Sequence, residues 1–328
     1  MAEFKNRVFG CVIVKAVNAN YNADFTHQPR TLPDGIVYAT DKAFKYSVRH
    51  YLKNQLGETK VFFYKQLNEK LNPLSLDEKY LQLFGEYPKM KIEKKKKGDT
   101  EKEEKEVLNK KVILEKLLQC IDIRLFGATF AGETNISIHG TVQINHGINR
   151  FPLNEIYSEQ IMSPFRNPGE KESEEKAMTT LGQQSKLREG HYVHHFSVNP
   201  QNLKSVCKLA DASEGLTIDD IQKLKEGMRC GVTYYDSASK AGTDNELLLW
   251  LQLKPESRTV LPVFTELVNV TRENGNVLID FKRLNPVISG VSDQLELIEV
   301  YYNPENTKLN NLPQQTKKYN IITANELV

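Results

Sequence analysis

The chain reads as an α+β protein built on a split βαββαβ frame, and three features of the sequence predict it. An apolar, β-branched run at 7–17 leads into an amphipathic helix and then into a second β-rich run at 60–65. Two stretches of different composition, 68–111 and 150–189, interrupt the order of elements. Beyond residue 215 a further helix is followed by a strongly apolar strand. Elements in this order pack helices against a sheet, and the whole approaches a modified ferredoxin-like or RRM-like arrangement. We therefore expect a single domain over 1–328, with 68–111 as a charged, flexible helical or loop insertion and 150–189 as a protruding, thumb-like arm.

The first run, RVFGCVIVKAV, is apolar at every second position on both alternating faces, as a central strand covered on both sides should be. A polar loop follows, marked by Pro29, Pro33 and the Asp34-Gly35 turn signal. Thr40 is a plausible N-cap with Asp41 in the first turn, and the helix stops at Gly57. At about 100° per residue, Lys42, Lys45, Arg49 and Lys53 fall within about 80° of one another, with Phe44, Val48, Tyr51 and Leu52 opposite. One face can bury against a sheet while the other presents cations. That face is either an ordinary solvated surface or one that tracks phosphates.

Lys and Glu alternate in blocks through 89–111, with too little apolar content to offset the ordering entropy. The lysine cluster 94–97 is closely followed by acids, which favours a solvated insertion over a nucleic-acid contact. A helix is expected over 112–121, then the segment DIRLFGATF. NISIHGTVQIN alternates, with Ile136, Ile138, Val142 and Ile144 on one face and Ser137, His139, Thr141, Gln143 and Asn145 on the other. Gly140 within it marks a bulge or a close approach of another backbone. The irregular stretch 150–189 carries Pro152, Pro164, Pro168, an acidic run, and apolar residues such as Ile161, Met162, Phe165 and Met178 with nothing obvious to cover them. Further strands are expected at 191–199, 246–254, 263–270, 277–281 and 295–302. A helix capped by Thr217 follows the first of these and precedes the rest, buried through Ile218, Ile221, Leu224 and Met228, and Asn274-Gly275 signals a hairpin.

Net charge is +2, so nothing draws the whole protein onto nucleic acid and any such binding needs local segregation of charge. Four well-separated cysteines, Cys11, Cys120, Cys207 and Cys230, form no CxxC and no zinc spacing, so no metal or other cofactor is expected. Buried thiols suit a reducing, cytoplasmic setting, and no leader or membrane-spanning run is legible. No P-loop, nucleophile elbow or HExxH occurs. His191, His194 and His195 lie on one strand, His191 and His195 sharing a face, with no carboxylate or thiol at the spacing of a metal motif, which favours a structural or RNA-facing role over metal binding. His27, His50 and His139 are the candidates for RNA cleavage by general acid/base catalysis.

Several segments together carry a resemblance. NYNADFTHQPRTLPDGIVYATDKAFKYSVRHYL resembles the N-terminal signature of the CRISPR-associated backbone subunits of type I interference (Cascade) complexes, the guide-RNA-coating RAMP family. There a strand ends in an Asn-rich turn followed by RxLPDGxGYxTDxxxKxxxRxYL. Asn18, Asn20, Arg30, Thr31, Leu32, Pro33, Asp34, Gly35, Thr40, Asp41, Lys42, Lys45 and Arg49 fit it. DIRLFGATF is similar to the family's DxRLFG segment. SIHGTVQINHGINR is similar to its SIxGPVQ segment, with Thr141 where proline is usual, and GHYVHHFSVNP to a following aromatic/His strand. Subtype I-B fits best.

The resemblance implies an RRM-like, non-catalytic subunit that binds CRISPR guide RNA, forms a helical filament with copies of itself, and presents the guide for pairing with target DNA. Other subunits of the complex, and a recruited helicase-nuclease for cleavage, are implied partners; a membrane is not. A protein that holds any guide sequence should read phosphates, riboses and stacking faces rather than base edges, and delegate sequence reading to base pairing. Lys42, Lys45, Arg49, Arg30 and Thr31 suit that role, as do Asn18, Asn20, Gln143 and Asn145, with Arg150, Arg166, Lys186 and Arg188 flanking the arm. Met162, Phe165 or Met178 could wedge between bases where the arm kinks the guide. The alternative is an RRM-like guide-processing endoribonuclease using histidine.

Overall fold

The computed structural model describes residues 2–95, 102–166, 178–211 and 215–327, with backbone alone at 93–95, 102–103, 166 and 178–181. In chain order the elements are β1 (Val8–Ala19), β2 (Tyr38–Ala39), α1 (Asp41–Asn54), α2 (Leu76–Phe84), β3 (Lys89–Lys95), β4 (Lys102–Leu108), α3 (Lys110–Leu118), α4 (Ile121–Phe126), β5 (Gly127–Ala131), β6 (Asn135–His139), β7 (Val142–Ile144) and β8 (Gly147–Asn149). There follow β9 (Ile156–Arg166), β10 (Met178–Val198), α5 (Gln201–Ala210), α6 (Ile218–Tyr234), β11 (Thr243–Leu253), β12 (Asn269–Glu273), β13 (Asn276–Asp280), α7 (Asn285–Ser289), β14 (Leu295–Tyr302), β15 (Thr307–Asn310) and β16 (Lys317–Asn320).

β1 lies at the centre of the main sheet, whose order is β16-β14-β11-β1-β10-β8-β2, with β7 and β9 also paired to β10. Its two faces enter different cores. Val8, Val12, Val14 and Ala16 meet Phe44, Val48 and Leu52 of α1 and Leu224, Met228 and Val232 of α6. Phe9, Cys11 and Ile13 meet Val270, Val277 and Ile279 of the small β12-β13-β15 sheet, on the opposite side. The period of two in RVFGCVIVKAV is thus explained by cover on both sides. Fully burying each such Val, Leu, Ile or Phe is worth about 1.5–3 kcal/mol, which fixes the register of β1 against β10 and β11. Followed through β1, α1, β7, β10, α6 and β11, the chain places its strands in the order β11-β1-β10-β7, all neighbours antiparallel.

A third core holds α2, α3, α4, α5 and the β5-β6 pair together around Tyr80, Ile113, Leu117, Ile123 and Phe130. Much of 68–111 therefore has regular structure. α2 begins with a capping box, Ser75 and Glu78 each bonding the other's backbone, and Tyr80 stacks on Tyr87 at 4.2 Å. β3 and β4 pair as a charged ribbon, with Lys91 bonded to Glu104 at 2.8 Å. Residues 96–101 of the lysine insert lie outside the described residues.

Four expectations are corrected. Residues 60–65 form no strand: the Phe62 and Phe63 amides donate to the Asp122 carboxylate, at 2.8 and 2.9 Å, instead of to a neighbouring strand. The alternating run 135–145 is two strands, β6 and β7, in different sheets, broken at Gly140-Thr141. Of 263–270, only 269–270 is strand, at the start of β12, and Val263 is exposed. Ile218 occupies the first turn of α6 and points to solvent, while Ile221, Leu224 and Met228 are buried. The hairpin at Asn274-Gly275 forms, with both residues at positive φ (50° and 83°). Residues 156–166 and 178–187 pair as a long ribbon, in which β9 lies against the first half of β10. No helix among the described residues is long and apolar enough to cross a membrane.

Candidate nucleic-acid interface

α1 starts where the sequence says it should. The Thr40 side chain accepts the Ala43 amide at 3.3 Å, and Asn22 accepts both the Thr40 amide and hydroxyl, at 2.9 and 3.0 Å. The polar loop before the helix is thereby tied to its first turn. Beside α1 opens a cleft of about 530 Å³, lined by Lys42, Arg49, Phe63, Phe126, the first residues of β5, the end of β6, Gly140, Gln143 and Asn202.

The floor of this cleft is a close backbone crossing. A Cβ on Gly140 would stand 2.2 Å from the Gly127 nitrogen, and one on Gly127, at φ +77°, would stand 2.5 Å from the Gly140 nitrogen. Only glycine permits that approach at both positions. Thr141 locks the crossing from the other side: its amide and hydroxyl both donate to the Arg124 carbonyl, at 3.2 and 3.0 Å. Proline, usual at this place in the family the sequence resembles, has no amide to offer.

The charged residues of DIRLFG brace the site. Asp122, fully buried, accepts the Arg49 guanidinium at 3.0 Å in addition to the two amides of 62 and 63. Arg124 grips Asp220 of α6 through two nitrogens, at 2.9 and 2.6 Å, and the Leu118 and Gln119 carbonyls through a third. Such bidentate, charge-assisted pairs fix orientation as well as adding energy.

The row of four cations on α1 is therefore not uniform. Arg49 is paired to Asp122 and sandwiched near the Phe126 and Phe63 rings, at 4.9 and 5.7 Å. Lys45 is largely covered and reaches back to Asp41 at 3.0 Å. Lys42 stands in solvent, with 82% of its side chain exposed, and also touches Asp41 at 3.1 Å. Burial pushes the Asp41 carboxyl up, but the Lys45 and Lys42 ammonium groups outweigh it and hold the carboxyl below its ordinary value. Lys53 donates to the Thr59 carbonyl.

The other candidates divide. Gln143 is exposed on the cleft and bonds the Gly140 carbonyl at 3.0 Å. Asn145 is spent inside the fold: its side chain joins Thr265 to the His195 amide. Asn20 is buried and ties the His27 and Ser185 carbonyls, joining the N-terminal loop to the foot of the ribbon. Asn18, at φ 49°, accepts the Tyr157 hydroxyl there. Arg30 bonds the Ala23 carbonyl and lies over Phe25, while Thr31 is exposed and bridges Val37. Arg150, Lys186 and Arg188 pair with Glu266, Glu159 and Glu155. On the ribbon Met162 and Phe165 are 59% and 77% exposed; the side chains of Arg166 and Met178 lie outside the described residues.

Three histidines of β10 are interior. His191 sits between Glu246 and Glu189, and Arg272 clasps Glu189 in turn. Burial alone would lower the His191 pKa; the two carboxylates reverse this and raise it. Burial holds His194 and His195 neutral, each with a pKa lowered to about 4. His27, His50 and His139 are apart: one in the N-terminal loop, one on α1 against tyrosines at the end of α6 and one at the end of β6 in the cleft. Among the described residues no group of three His, Cys, Asp or Glu side chains is placed to hold a metal ion.

The sequence reading missed the cleft contributions of Asn202, Phe63 and Phe126, which come from segments far apart in the chain. The two phenylalanines sit in KVFFYK and DIRLFG, and only their shared contact with Arg49 shows the link.

A mixed helix-and-sheet fold with an open cleft along its first long helix defines the class. One chain of a solved "CRISPR RNA-guided surveillance complex, pre-nicking" shares this fold at TM-score 0.53 and 15% identity, over 96% of both chains. A chain of a "CRISPR RNA-guided surveillance complex" aligns at TM-score 0.44 and 14% identity over 91% of both. No curated protein sequence matches. The family described as CRISPR-associated protein Cas7 matches residues 6–285, and the chain belongs to that family.

Proposed function

We propose that this protein is a non-catalytic backbone subunit of a CRISPR effector complex. It binds guide RNA by phosphate and ribose, stacks head to tail with further copies along that RNA, and presents it for pairing with target DNA. The observation that carries this reading is the cleft beside α1, with exposed Lys42 and Gln143 at its rim, in a chain of this family. The strand order β11-β1-β10-β7 supports a ferredoxin-like core. The β9–β10 ribbon is the thumb-like arm, whose exposed Met162 and Phe165 are placed to wedge between bases. A head-to-tail interface of this kind continues until something caps it. Subtype I-B, a cytoplasmic setting and the flanking cations Arg150, Arg166, Lys186 and Arg188 as further RNA contacts belong to the same reading.

The direct test reverses charge at the rim without touching the Asp122 brace. Lys42→Glu with Gln143→Glu should weaken binding of a fluorescent single-stranded RNA at least about ten-fold, since close phosphate contacts dominate affinity and its salt dependence. The melting temperature should not move. Unchanged affinity and salt slope in that double variant would sink the cleft assignment. Reversal at Arg49 is less informative, because it also strands Asp122 in the interior.

A further inference from the structure

Beyond the cleft, α1 carries a second surface. Tyr46 follows Lys42 by one turn and His50 follows Tyr46 by another, so both lie just past the cation row, about 20° and 60° beyond Lys53 around the helix. There they meet rings from two other parts of the chain. Tyr46 and Tyr64 are parallel to within 4° with centroids 6.1 Å apart. His50 lies 4.6 Å from Tyr235 and 5.6 Å from Tyr234, at the end of α6. Tyr235 closes the set at 5.4 Å from Tyr46. These rings are half-buried, not sealed into a core; Tyr234 is 37% exposed. The His50 Nδ1 is buried with no hydrogen-bond partner.

A cation without a carboxylate partner stands beside these rings. Lys53 has no carboxylate partner among the described residues, its ammonium meeting only the Thr59 carbonyl at 3.2 Å. Its neighbour Lys79 is held by the side-chain oxygens of Gln66 and Gln82. Burial lowers the Lys79 pKa, and the Lys53 charge lowers it further. Asn54 ties this edge to the rings by donating to the Tyr64 hydroxyl at 3.0 Å. Flat π-faces beside an ammonium group that has no carboxylate partner are what a single strand needs when its bases are unpaired and its sequence is free to vary.

We propose that the Tyr46–His50–Tyr64–Tyr235 surface is a base-stacking platform for single-stranded RNA, continuous with the cleft through Lys42. Bases lie on the tyrosine and histidine faces, and Lys53 meets the phosphates between them. This rests on the RNA-binding reading above but assigns residues which that reading does not use.

The test separates the two. Binding of fluorescein-labelled oligouridylate to the full chain is measured for Tyr46→Ala/Tyr64→Ala, for Tyr46→Phe/Tyr64→Phe and for Lys42→Glu. The alanine pair should lose affinity by about five-fold or more, as expected for removal of a stacked base contact, and the phenylalanine pair should bind like the parent. If the alanine pair binds as the parent does while Lys42→Glu is weakened, the platform is wrong and the cleft stands. If the alanine pair is weakened and Lys42→Glu is not, the cleft fails and the platform stands. Altered sedimentation of the RNA-free alanine pair with unchanged RNA affinity makes the surface a contact between copies, and overturns the proposal. Should the alanine pair not fold, ultraviolet crosslinking of the parent protein to 4-thiouridine RNA decides. Crosslinked peptides at Tyr46, Tyr64 or Tyr235 support the platform, and their absence from all three overturns it.

Discussion

The two halves of β10 obey different rules although they are one strand. From 190 to 198 it runs beside β1, with side chains in both main cores and all three histidines out of water. From 178 to 187 its partner is β9, and exposed residues such as Gly182 and Gln183 mark the ribbon, with Met162 and Phe165 exposed on the facing strand. Both halves are hydrogen-bonded strand, but the inner half is paired on both edges, to β1 and to β7 and β8, and covered on both faces, whereas the outer half pairs with β9 through two irregular steps. Extended conformation alone therefore says little about what a substitution costs, and cover says a great deal.

Glycine substitutions break this comparison most sharply. Gly10 pairs with Phe196 in the covered half, and a Cβ there would stand 2.1 Å from the Leu249 carbonyl and 2.5 Å from the Phe196 ring. Gly10→Ala should cost roughly 3 kcal/mol or more, because two backbones and a packed ring have nowhere to move. Chemical denaturation measures it, and a wild-type midpoint would show that the sheet can open there.

An effect of the same order, for each of two histidines, is on pH. His194 and His195 titrate at about 4 when folded and near 6.5 when unfolded. As pH falls below about 6.5 the unfolded chain takes up protons that the native state refuses, so stability drops until about pH 4 and then levels. Each group contributes roughly 3 kcal/mol to that drop. His191 acts with the opposite sign: its raised pKa adds stability below 6.5 that is lost as pH rises through the folded value. Thermal melts of the parent protein and His194→Asn across pH 4–7 should show a shallower fall for the variant; equal slopes would mean His194 is not the group held neutral.

The smallest effect belongs to the ribbon. A Cβ on Gly182 meets nothing within 4 Å, so Gly182→Ala should stay within about 0.5 kcal/mol of the parent. A large loss of stability there would show that the ribbon packs more tightly than its exposed residues indicate.

Much of this was legible before any coordinates. β1, α1 with its Thr40 cap, α6 with its Thr217 cap, the apolar strand β11 and the hairpin at Asn274-Gly275 all follow from local rules of period, capping and turn chemistry. Gly140, expected on the same kind of reasoning as either a bulge or a close backbone approach, is the latter. The sequence was less informative about the partners of polar groups. Lys45 and Arg49 share a helical face with Lys42, yet Asp122, 73 residues beyond Arg49, takes up its charge. Asn20 and Asn145 have the chemistry of ligand contacts and are used to join backbone segments instead.

The sequence by itself determined which segments are strands and helices wherever one repeating apolar face had to be buried, because burial at a fixed spacing leaves its mark in the local order of residues. It also carried the ordered motifs of the family. The tertiary structure alone decided which cations remain open and that NISIHGTVQIN breaks between two sheets. It also decided that KVFFYK gives its amides to a carboxylate rather than to a strand. Those outcomes depend on groups brought together from distant parts of the chain, where hydrogen bonds and charges pair by distance in space and not by position in sequence.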